Sequence, residues 1–247
     1  MSGGRVEAVI FDWGGTLTPW HDVDLSAAAR ALLEAVVARD MGQGTAAAVL
    51  EEADRRIWAR AREEHRSATI DDVFAEAGLA YDPERLGAYR DFWEPHTHTD
   101  EQVAPLLEEL RARGAKVGVL SNTIWPRAWH EEFFARDGVL DLIDGAVYTS
   151  EIPHAKPAPE AFRAAMDAVG VEDPAACVFV GDRLFEDVHG PHEVGMRAIH
   201  VPHSTIPADQ HGHTDGEPDA VVQELVEILD VLEQWGLPPV DQAGGSR

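Results

Sequence analysis

The 247-residue chain has only one cysteine, Cys177. A single cysteine excludes an internal disulfide and a zinc cluster built from cysteines. Cys177 lies in the apolar run of residues 177–180, so we expect a buried strand residue rather than a reactive thiol. No apolar run is long enough to span a membrane, and residues 1–5 are too few and too polar for a signal peptide. We therefore expect a cytoplasmic protein without a membrane partner.

Positive charge is also scarce. The chain has 20 lysines and arginines against 45 aspartates and glutamates, which gives a formal net charge of −25. Such a field repels nucleic acid, and we expect no nucleic-acid partner. It also repels phosphate, so any phosphate site has to be locally positive. Only two residues are lysines, Lys116 and Lys156, which makes each of them a candidate for that local charge.

The first strand of the predicted fold ends in a polar turn. Residues 6–11 form an apolar run that predicts a buried strand of a parallel sheet. Asp12 follows the run, and Gly14 and Gly15 allow the backbone a tight turn. Ligands of such sheets bind outside the carboxyl ends of the strands, so Asp12 is a candidate nucleophile or metal ligand. The same pattern is equally typical of an aspartate that only caps a turn.

The rest of the chain divides into a helical part and an alternating part. Residues 25–95 have helical patterns without strands, which predicts a helical subdomain inserted after the first strand. From residue 101 onwards strands and helices alternate, and residues 219–235 predict a final amphipathic helix. Repeated β-α units predict an α/β fold with a Rossmann-like parallel sheet and helices on both faces.

Polar residues follow four of the predicted strands or their loops. They are Asp12, Ser121 with Asn122, Lys156, and Asp182 with Asp187. Carboxylate oxygens hold Mg²⁺, and Mg²⁺ together with a lysine offsets the charge of a phosphoryl group. A further carboxylate can then attack phosphorus. The combination indicates phosphoryl transfer.

These residues resemble the four motifs of the haloacid dehalogenase-like hydrolase superfamily, and the resemblance covers about residues 6–232. Asp12 to Thr16 is similar to the first motif, Asp-x-Asp-x-Thr, and Ser121 to the second. Lys156-Pro157 resembles the third motif, and Gly181-Asp182 with Asp187 the fourth. The resemblance implies a Mg²⁺-dependent hydrolase, most simply a phosphatase of a small phosphorylated metabolite. The expected domains are an α/β core over 1–20 and 98–236, a helical cap over 21–97 and a disordered tail over 237–247.

The resemblance also implies roles for single residues. Asp12 would be the nucleophile that forms an aspartyl-phosphate, while Ser121 and Lys156 would hold the phosphoryl group. Thr16 and Asn122 are expected to bind substrate.

The metal would be held by Asp12, Asp182 and the backbone carbonyl of Gly14, with Asp187 supporting it directly or through water. The sequence leaves the oligomeric state open.

One position departs from the family pattern. The second aspartate of the first motif, which is the family's general acid and base, is Gly14 here. Glycine keeps the backbone carbonyl but has no proton to donate, and a general acid contributes about 10²–10⁴-fold to a rate. Either another group such as His21 or Asp22 donates the proton, or the leaving group needs none, or the protein is slow or inactive.

Gly14 therefore keeps alternatives open. One is a non-catalytic relative that binds Mg²⁺ and phosphate or a protein partner. Another is an enzyme that cleaves carbon–halogen or carbon–phosphorus bonds. Phosphonoacetaldehyde hydrolase has a similar first motif but needs a cap lysine, and residues 25–95 contain no lysine. The 2-haloacid dehalogenases lack the Gly-Asp pair, so Gly181-Asp182 favours a metal-dependent phosphoryl site.

Three further groups have two interpretations each. The histidines between His189 and His213 are either a zinc site or a polar rim. The tryptophans Trp13, Trp20 and Trp125 either line an apolar pocket under the cap or pack in the core. The nine arginines of the cap are mainly a solvated face, from which one can reach a substrate anion.

Overall fold

The computed structural model describes residues 5–37, 42–202 and 215–240. Six strands form one parallel sheet in the order β3-β2-β1-β4-β5-β6. The strands are β1 (Ala8–Phe11), β2 (Lys116–Ser121), β3 (Gly145–Tyr148), β4 (Cys177–Gly181), β5 (Arg197–His200) and β6 (Ala220–Val221). The predicted α/β fold with a Rossmann-like sheet is confirmed. The strand order reverses between β1 and β4, and such a switch point is where open α/β sheets bind ligands.

Helices cover both faces of this sheet, as predicted. The α-helices of the described residues are α1 (Leu25–Leu32), α2 (Gln43–Glu64), α3 (Ile70–Ala77), α4 (Gly87–Trp93), α5 (Val103–Ala112), α6 (Arg127–Arg136), α7 (Pro159–Val169), α8 (Gly190–Val194) and α9 (Ile228–Gln234). Val9 and Phe11 face a core that includes residues of α5, α6 and α9. Ala8 and Ile10 face the opposite core, which is built largely from α7. Burial of a side chain such as Ile10 or Phe11 contributes about 1.5–3 kcal/mol.

The described residues between β1 and α5 form helices and turns but no strand. Helix α1 packs against α2 and α4, and α2 packs against α3. Helix α3 begins at a capping box, in which Thr69 accepts from the Asp72 amide while the Asp72 carboxylate accepts from the Thr69 amide. It ends at Gly78 with φ of 66°, a left-handed conformation that glycine adopts without strain. The boundaries of the predicted cap, 21–97, stay a prediction.

The prediction of one helix over 219–235 is wrong in its first half. Ala220–Val221 forms β6 beside β5, and the Val222 amide donates to the carbonyl of His200 at 3.0 Å. The Asp219 carboxylate accepts from the Ala198 amide at 2.8 Å, which fixes this strand at the sheet edge. The apolar residues here satisfy both a helical and a strand spacing, and pairing with β5 decides between them.

Two other predicted boundaries also shift. Within the helical pattern predicted for residues 25–95, the first helix already ends at Leu32 with a 3-10 turn over Leu33–Ala35, and Val36 is extended and bridges to Tyr81. Leu237, placed at the start of the predicted tail, is fully buried in the core, and residues 241–247 lie outside the described residues. Among the described helices, none combines the length and apolar character that crossing a membrane requires.

Candidate active site

Asp12 lies at the switch point of the sheet. Its amide donates to the carbonyl of Val180 on β4 at 2.9 Å, so the turn after β1 is tied to the strand that delivers Asp182. The Lys156 Nζ atom donates to Asp12 Oδ1 at 2.6 Å and to Asp187 Oδ1 at 2.7 Å. All of these side chains are buried, Lys156 with only 3% of its surface exposed. One of the two lysines of the chain is therefore shared by two carboxylates in the interior.

The electrostatics of this group follow from burial and charge. Burial alone would lower the pKa of Lys156, but the carboxylates of Asp12 and Asp187 raise it, so the ammonium stays charged. Burial raises the pKa of Asp12, and the Lys156 ammonium opposes this by favouring the ionised carboxylate. The lysine is thus the positive charge within this cluster of carboxylates, and its predicted contact with a phosphoryl group stays a prediction.

Asp12, Asp182 and Asp187 form the candidate metal centre. Each offers one carboxylate oxygen, and the three oxygens lie within 4.8 Å of one another. Two glycines make this approach possible. A Cβ atom at Gly181 would lie 2.4 Å from the Asp187 carboxyl carbon, and one at Gly15, where φ is +89°, would lie 2.3 Å from Asp182 Oδ2.

These carboxylates suit a hard divalent cation. If all three are ionised, the lysine offsets one of their charges and two negative charges remain, which a dication balances. Among the described residues, this trio is the only group of three or more histidine, cysteine, aspartate or glutamate side chains that can hold a metal ion.

The other predicted site residues lie close by. Ser121 is the last residue of β2 and lines the same cavity as Asp12. The Thr16 hydroxyl donates to Asp12 Oδ2 at 3.5 Å, so it contacts the nucleophile candidate itself. The Asn122 side-chain amide is bonded twice to the backbone of Lys156. The predicted roles of these residues, and of the Gly14 carbonyl, stay predictions.

The site opens into a cavity of about 480 Å³ between the sheet edge and the helices of residues 25–96. Asp12, Ser121 and Lys156 line it, and so do His21 and Asp22. Its aromatic wall, as we call these side chains, consists of Trp13, Trp20, Trp58, Tyr89, Trp93 and Trp125. The two interpretations of the predicted tryptophans are both correct in part, because Trp13 and Trp125 line the cavity and also pack edge to face, with ring centroids 5.7 Å apart.

The sequence analysis missed several lining residues of the helical segment. Asp54 and Trp58 are four residues apart on α2 and both line the cavity. Burial raises the pKa of the Asp54 carboxyl to about 6, while a hydrogen bond from Trp58 opposes the shift. The i, i+4 spacing was the only signal for this pair, and it is equally common on helices that face solvent. Of the cap arginines, Arg55 and Arg62 line the cavity.

The helical segment is bonded to the loops that carry the site. The Ile70 amide donates to the carbonyl of Ile124 at 3.1 Å, close after Ser121 and Asn122. The Ser67 amide donates to the carbonyl of Pro153 at 3.2 Å, and the Ala155 amide donates to the carbonyl of His65 at 3.0 Å. The residue before Lys156 is therefore held by the helical segment.

The described histidines of the predicted zinc site have other partners. His189 stacks on Phe185 with ring centroids 5.1 Å apart, and His192 lies 2.9 Å from the Asp219 carboxylate. His200 Nε2 lies 3.0 Å from the carbonyl oxygen of Asp182. His203, His211 and His213 lie outside the described residues. Within the described part of the chain, these three histidines belong to no group of side chains that can hold a metal ion.

Comparison with known proteins gives a match to a family model and to individual relatives. A family model for haloacid dehalogenase-like hydrolases matches residues 6–195. A glyceraldehyde 3-phosphate phosphatase of Methanopyrus kandleri is 26% identical over 93% of this chain and 98% of its own length. A phosphatase of Mycobacterium tuberculosis is 35% identical over 53% of this chain and 55% of its own length.

Solved structures agree with the fold. A haloacid dehalogenase-like phosphatase from Thermococcus onnurineus superposes with a TM-score of 0.64 at 23% identity, over 92% of this chain and 98% of that one. The L-2-haloacid dehalogenase of Xanthobacter autotrophicus superposes with a TM-score of 0.62 at 21% identity, over 93% of this chain and 99% of that one. Phosphatases and dehalogenases thus share this architecture, so chemistry has to be argued from the site.

Proposed function

Because the chain belongs to the haloacid dehalogenase-like hydrolase family, we propose that it is a Mg²⁺-dependent phosphatase of a small phosphorylated molecule. The chain is a hydrolase by its family, and a relative that it matches over almost its whole length is named a phosphatase. The observation that carries the proposal is the buried lysine shared by Asp12 and Asp187 at the end of a cavity.

In the proposed reaction Asp12 is the nucleophile. A carboxylate oxygen of Asp12 forms a bond to phosphorus, the bond from phosphorus to the leaving-group oxygen breaks, and the electron pair leaves with that oxygen. Lys156 and Ser121 offset the negative charge of the phosphoryl oxygens. Water then hydrolyses the aspartyl-phosphate and releases inorganic phosphate.

The residues present suit the metal that the family implies. Asp12, Asp182, Asp187 and the carbonyl of Gly14 would hold Mg²⁺, and the close approach that Gly15 and Gly181 allow supports this assignment. When bound, the ion would offset part of the phosphoryl charge. The protein's own residues would orient the phosphoryl group in line with Asp12 and keep Lys156 charged.

Residue 14 is a glycine, so the cavity has no carboxylic acid at the position of the family's general acid. We therefore propose that leaving groups which depart without a proton, such as carboxylates and phenolates, are preferred over alkoxides. His21, Asp22 and Asp54 line the cavity and are the candidates for a replacement acid. Residues 21–97 would act as a cap that closes over the core of residues 1–20 and 98–236 and excludes water.

A turnover screen with Asp12→Asn as the control tests the proposal. The substrates are phenyl phosphate, acetyl phosphate, glycerol 3-phosphate and 2-chloropropionate, each with and without Mg²⁺. We expect Mg²⁺-dependent release of phosphate by the wild type and none by Asp12→Asn. Metal-independent release of chloride would indicate a dehalogenase instead. Binding of Mg²⁺ and phosphate without turnover of any substrate would indicate a non-catalytic relative, and full activity of Asp12→Asn would exclude the mechanism.

A further inference from the structure

Five of the seven tryptophans of the chain line one cavity, and residue 14, where the family pattern has its general acid, is a glycine. We infer that the leaving group of the substrate is aromatic, a phenol or a comparable hydroxyl compound with a flat apolar ring. The inference rests on the proposed phosphatase function and names its substrate class.

The aromatic wall contains two rings that have no ring partner among the described residues, although the guanidinium of Arg183 lies over one of them, Trp20, at 5.5 Å. Trp13, Tyr89, Trp93 and Trp125 contact one another or other described aromatic residues. Trp20 and Trp58 line the cavity, and neither makes a ring–ring contact with any described residue. An apolar ring in the substrate supplies the missing partner, since aromatic rings favour edge-to-face and offset-stacked contacts.

Indole N–H groups of the wall also lack acceptors among the described residues. The Nε1 atoms of Trp13 and Trp20 are buried, and no described residue accepts a hydrogen bond from either of them. Trp13 is 8% exposed, so its donor is largely removed from solvent. A buried donor without an acceptor is costly, and oxygen atoms of a bound phosphate ester can accept these hydrogen bonds.

The size of the cavity and the chemistry of the site favour the same class of substrate. A volume of about 480 Å³ lies in the usual range for small-molecule sites, and six aromatic side chains line it together with Asp12 and Lys156. With Asp12 as nucleophile, the bond from phosphorus to the phenolic oxygen breaks and the electron pair leaves on a phenolate. A phenolate is stable enough to depart unprotonated and takes its proton from water afterwards. An aromatic leaving group therefore allows turnover although Gly14 has no acid.

Binding separates the ring preference from catalysis. Benzylphosphonate and 3-hydroxypropylphosphonate share the phosphonate and differ in the ring, and neither can be hydrolysed. We expect the wild-type protein with Mg²⁺ to bind benzylphosphonate at least about tenfold more tightly in titration calorimetry. Equal affinities would overturn the inference.

Turnover then separates the ring from the leaving group. Phenyl phosphate has a ring and a good leaving group, benzyl phosphate only the ring, acetyl phosphate only the good leaving group, and glycerol 3-phosphate neither. We expect the ring to lower KM in both aromatic esters and the good leaving group to raise kcat. If KM does not depend on the ring, the inference of an aromatic leaving group is wrong, while the proposed phosphatase function still holds. If the protein binds benzylphosphonate more tightly but hydrolyses none of the esters, the proposed phosphatase function is wrong, while the preference of the cavity for an aromatic ring is supported.

Tryptophan variants connect the preference to the wall. Trp58→Leu and Trp20→Leu should raise KM for phenyl phosphate at least about fivefold more than KM for acetyl phosphate. The matched control is Trp235→Leu, since the Trp235 ring lies under the guanidinium of Arg197 at 4.7 Å and is not among the cavity residues. Thermal unfolding checks that each variant folds. A change in KM of the same size in Trp235→Leu would contradict a role for the wall.

Discussion

Asn122 and Lys156 hold each other through two hydrogen bonds. Asn122 Nδ2 donates to the carbonyl of Lys156 at 3.0 Å, and the Lys156 amide donates to Asn122 Oδ1 at 2.8 Å. Both polar groups of the Asn122 side chain are thus used on the backbone of the residue whose ammonium contacts Asp12. We therefore propose that Asn122 is a positioning residue, in addition to the substrate contact predicted from its sequence position.

Replacing Asn122 by alanine should lower kcat more than it raises KM. The variant removes both bonds, and a displacement of the lysine by about 1 Å can cost about 10²-fold in rate. Steady-state kinetics on phenyl phosphate with Mg²⁺ measure the effect. Asn122→Asp keeps the acceptor for the Lys156 amide and should fall between the wild type and Asn122→Ala. A wild-type kcat in Asn122→Ala would exclude the positioning role.

Gly14 can be given the side chain that the family pattern expects. A Cβ atom at Gly14 has no described atom within 4 Å outside its chain neighbours, and its φ lies outside the left-handed region. Gly14→Asp should raise turnover of glycerol 3-phosphate by up to about 10²–10⁴-fold, because it restores a general acid. In the wild type we expect phenyl phosphate to give a burst of phenolate, because the aspartyl-phosphate forms faster than it is hydrolysed. Gly14→Asp should remove this burst, since the same acid would activate the hydrolytic water.

The neighbouring glycine provides the control for this substitution. Gly15→Ala places a Cβ atom 2.3 Å from Asp182 Oδ2 at a φ of +89°, so it should lower activity and the response to Mg²⁺. If the wild type hydrolyses glycerol 3-phosphate efficiently and without a burst, another residue supplies the proton, and Asp54, His21 and Asp22 are the first to replace.

Mg²⁺ should raise the unfolding temperature of the protein. A ligand that binds only the folded state stabilises it by mass action, and removing a carboxylate from the trio weakens that binding. Asp182→Asn should therefore lose most of the shift that the wild type shows between chelator and excess Mg²⁺. Asp22→Asn is the control, because Asp22 lines the cavity outside the trio. An equal shift in Asp182→Asn and the wild type would contradict the assignment.

Asp54 makes stability depend on pH. Its pKa is raised from 3.8 to about 6 by burial, so the folded state disfavours the charged carboxylate. The unfolding free energy should consequently fall as pH rises from about 4 to about 6, by at most about 3 kcal/mol. In Asp54→Asn this part of the pH dependence should be absent, and the variant should be more stable than the wild type at pH 7.

Urea unfolding at several pH values measures this difference. Asp91→Asn, on the exposed side of α4 in the same helical segment, is the control. If Asp54→Asn and Asp91→Asn change the pH dependence equally, the carboxyl of Asp54 is not the cause.

Local patterns were sufficient to predict the alternating core and its polar edge. The strand before Asp12 and the strand before Asp182 are continuous apolar runs. Parallel pairing brings their carboxyl ends together independently of the conformation of the loops. The placement of Lys156 at this edge was equally accessible, because the chain has only two lysines, whereas its sharing by Asp12 and Asp187 was not predicted.

Other features depend on tertiary contacts that a local pattern does not contain. Ala220–Val221 forms a strand only because it can pair with the edge of β5, since the amino-acid sequence of this segment is equally compatible with a helix. Trp58 and Trp93 lie on helices α2 and α4, and only the packing of those helices brings both residues to the cavity that Asp12 also lines. The raised pKa of Asp54 likewise follows from burial in the fold and has no signature in its neighbours along the chain.

If residues 21–97 open and close as we propose, the three backbone hydrogen bonds between residues 65–70 and the loops of the sheet edge would break on opening. One of them joins the Ala155 amide, next to Lys156, so the open molecule would also have a less supported lysine. A ligand that binds only the closed arrangement has to supply the free energy of closure. Its apparent dissociation constant is then the intrinsic one divided by the closed fraction. The affinity of this protein would then include the strength of peptide hydrogen bonds that the ligand never touches.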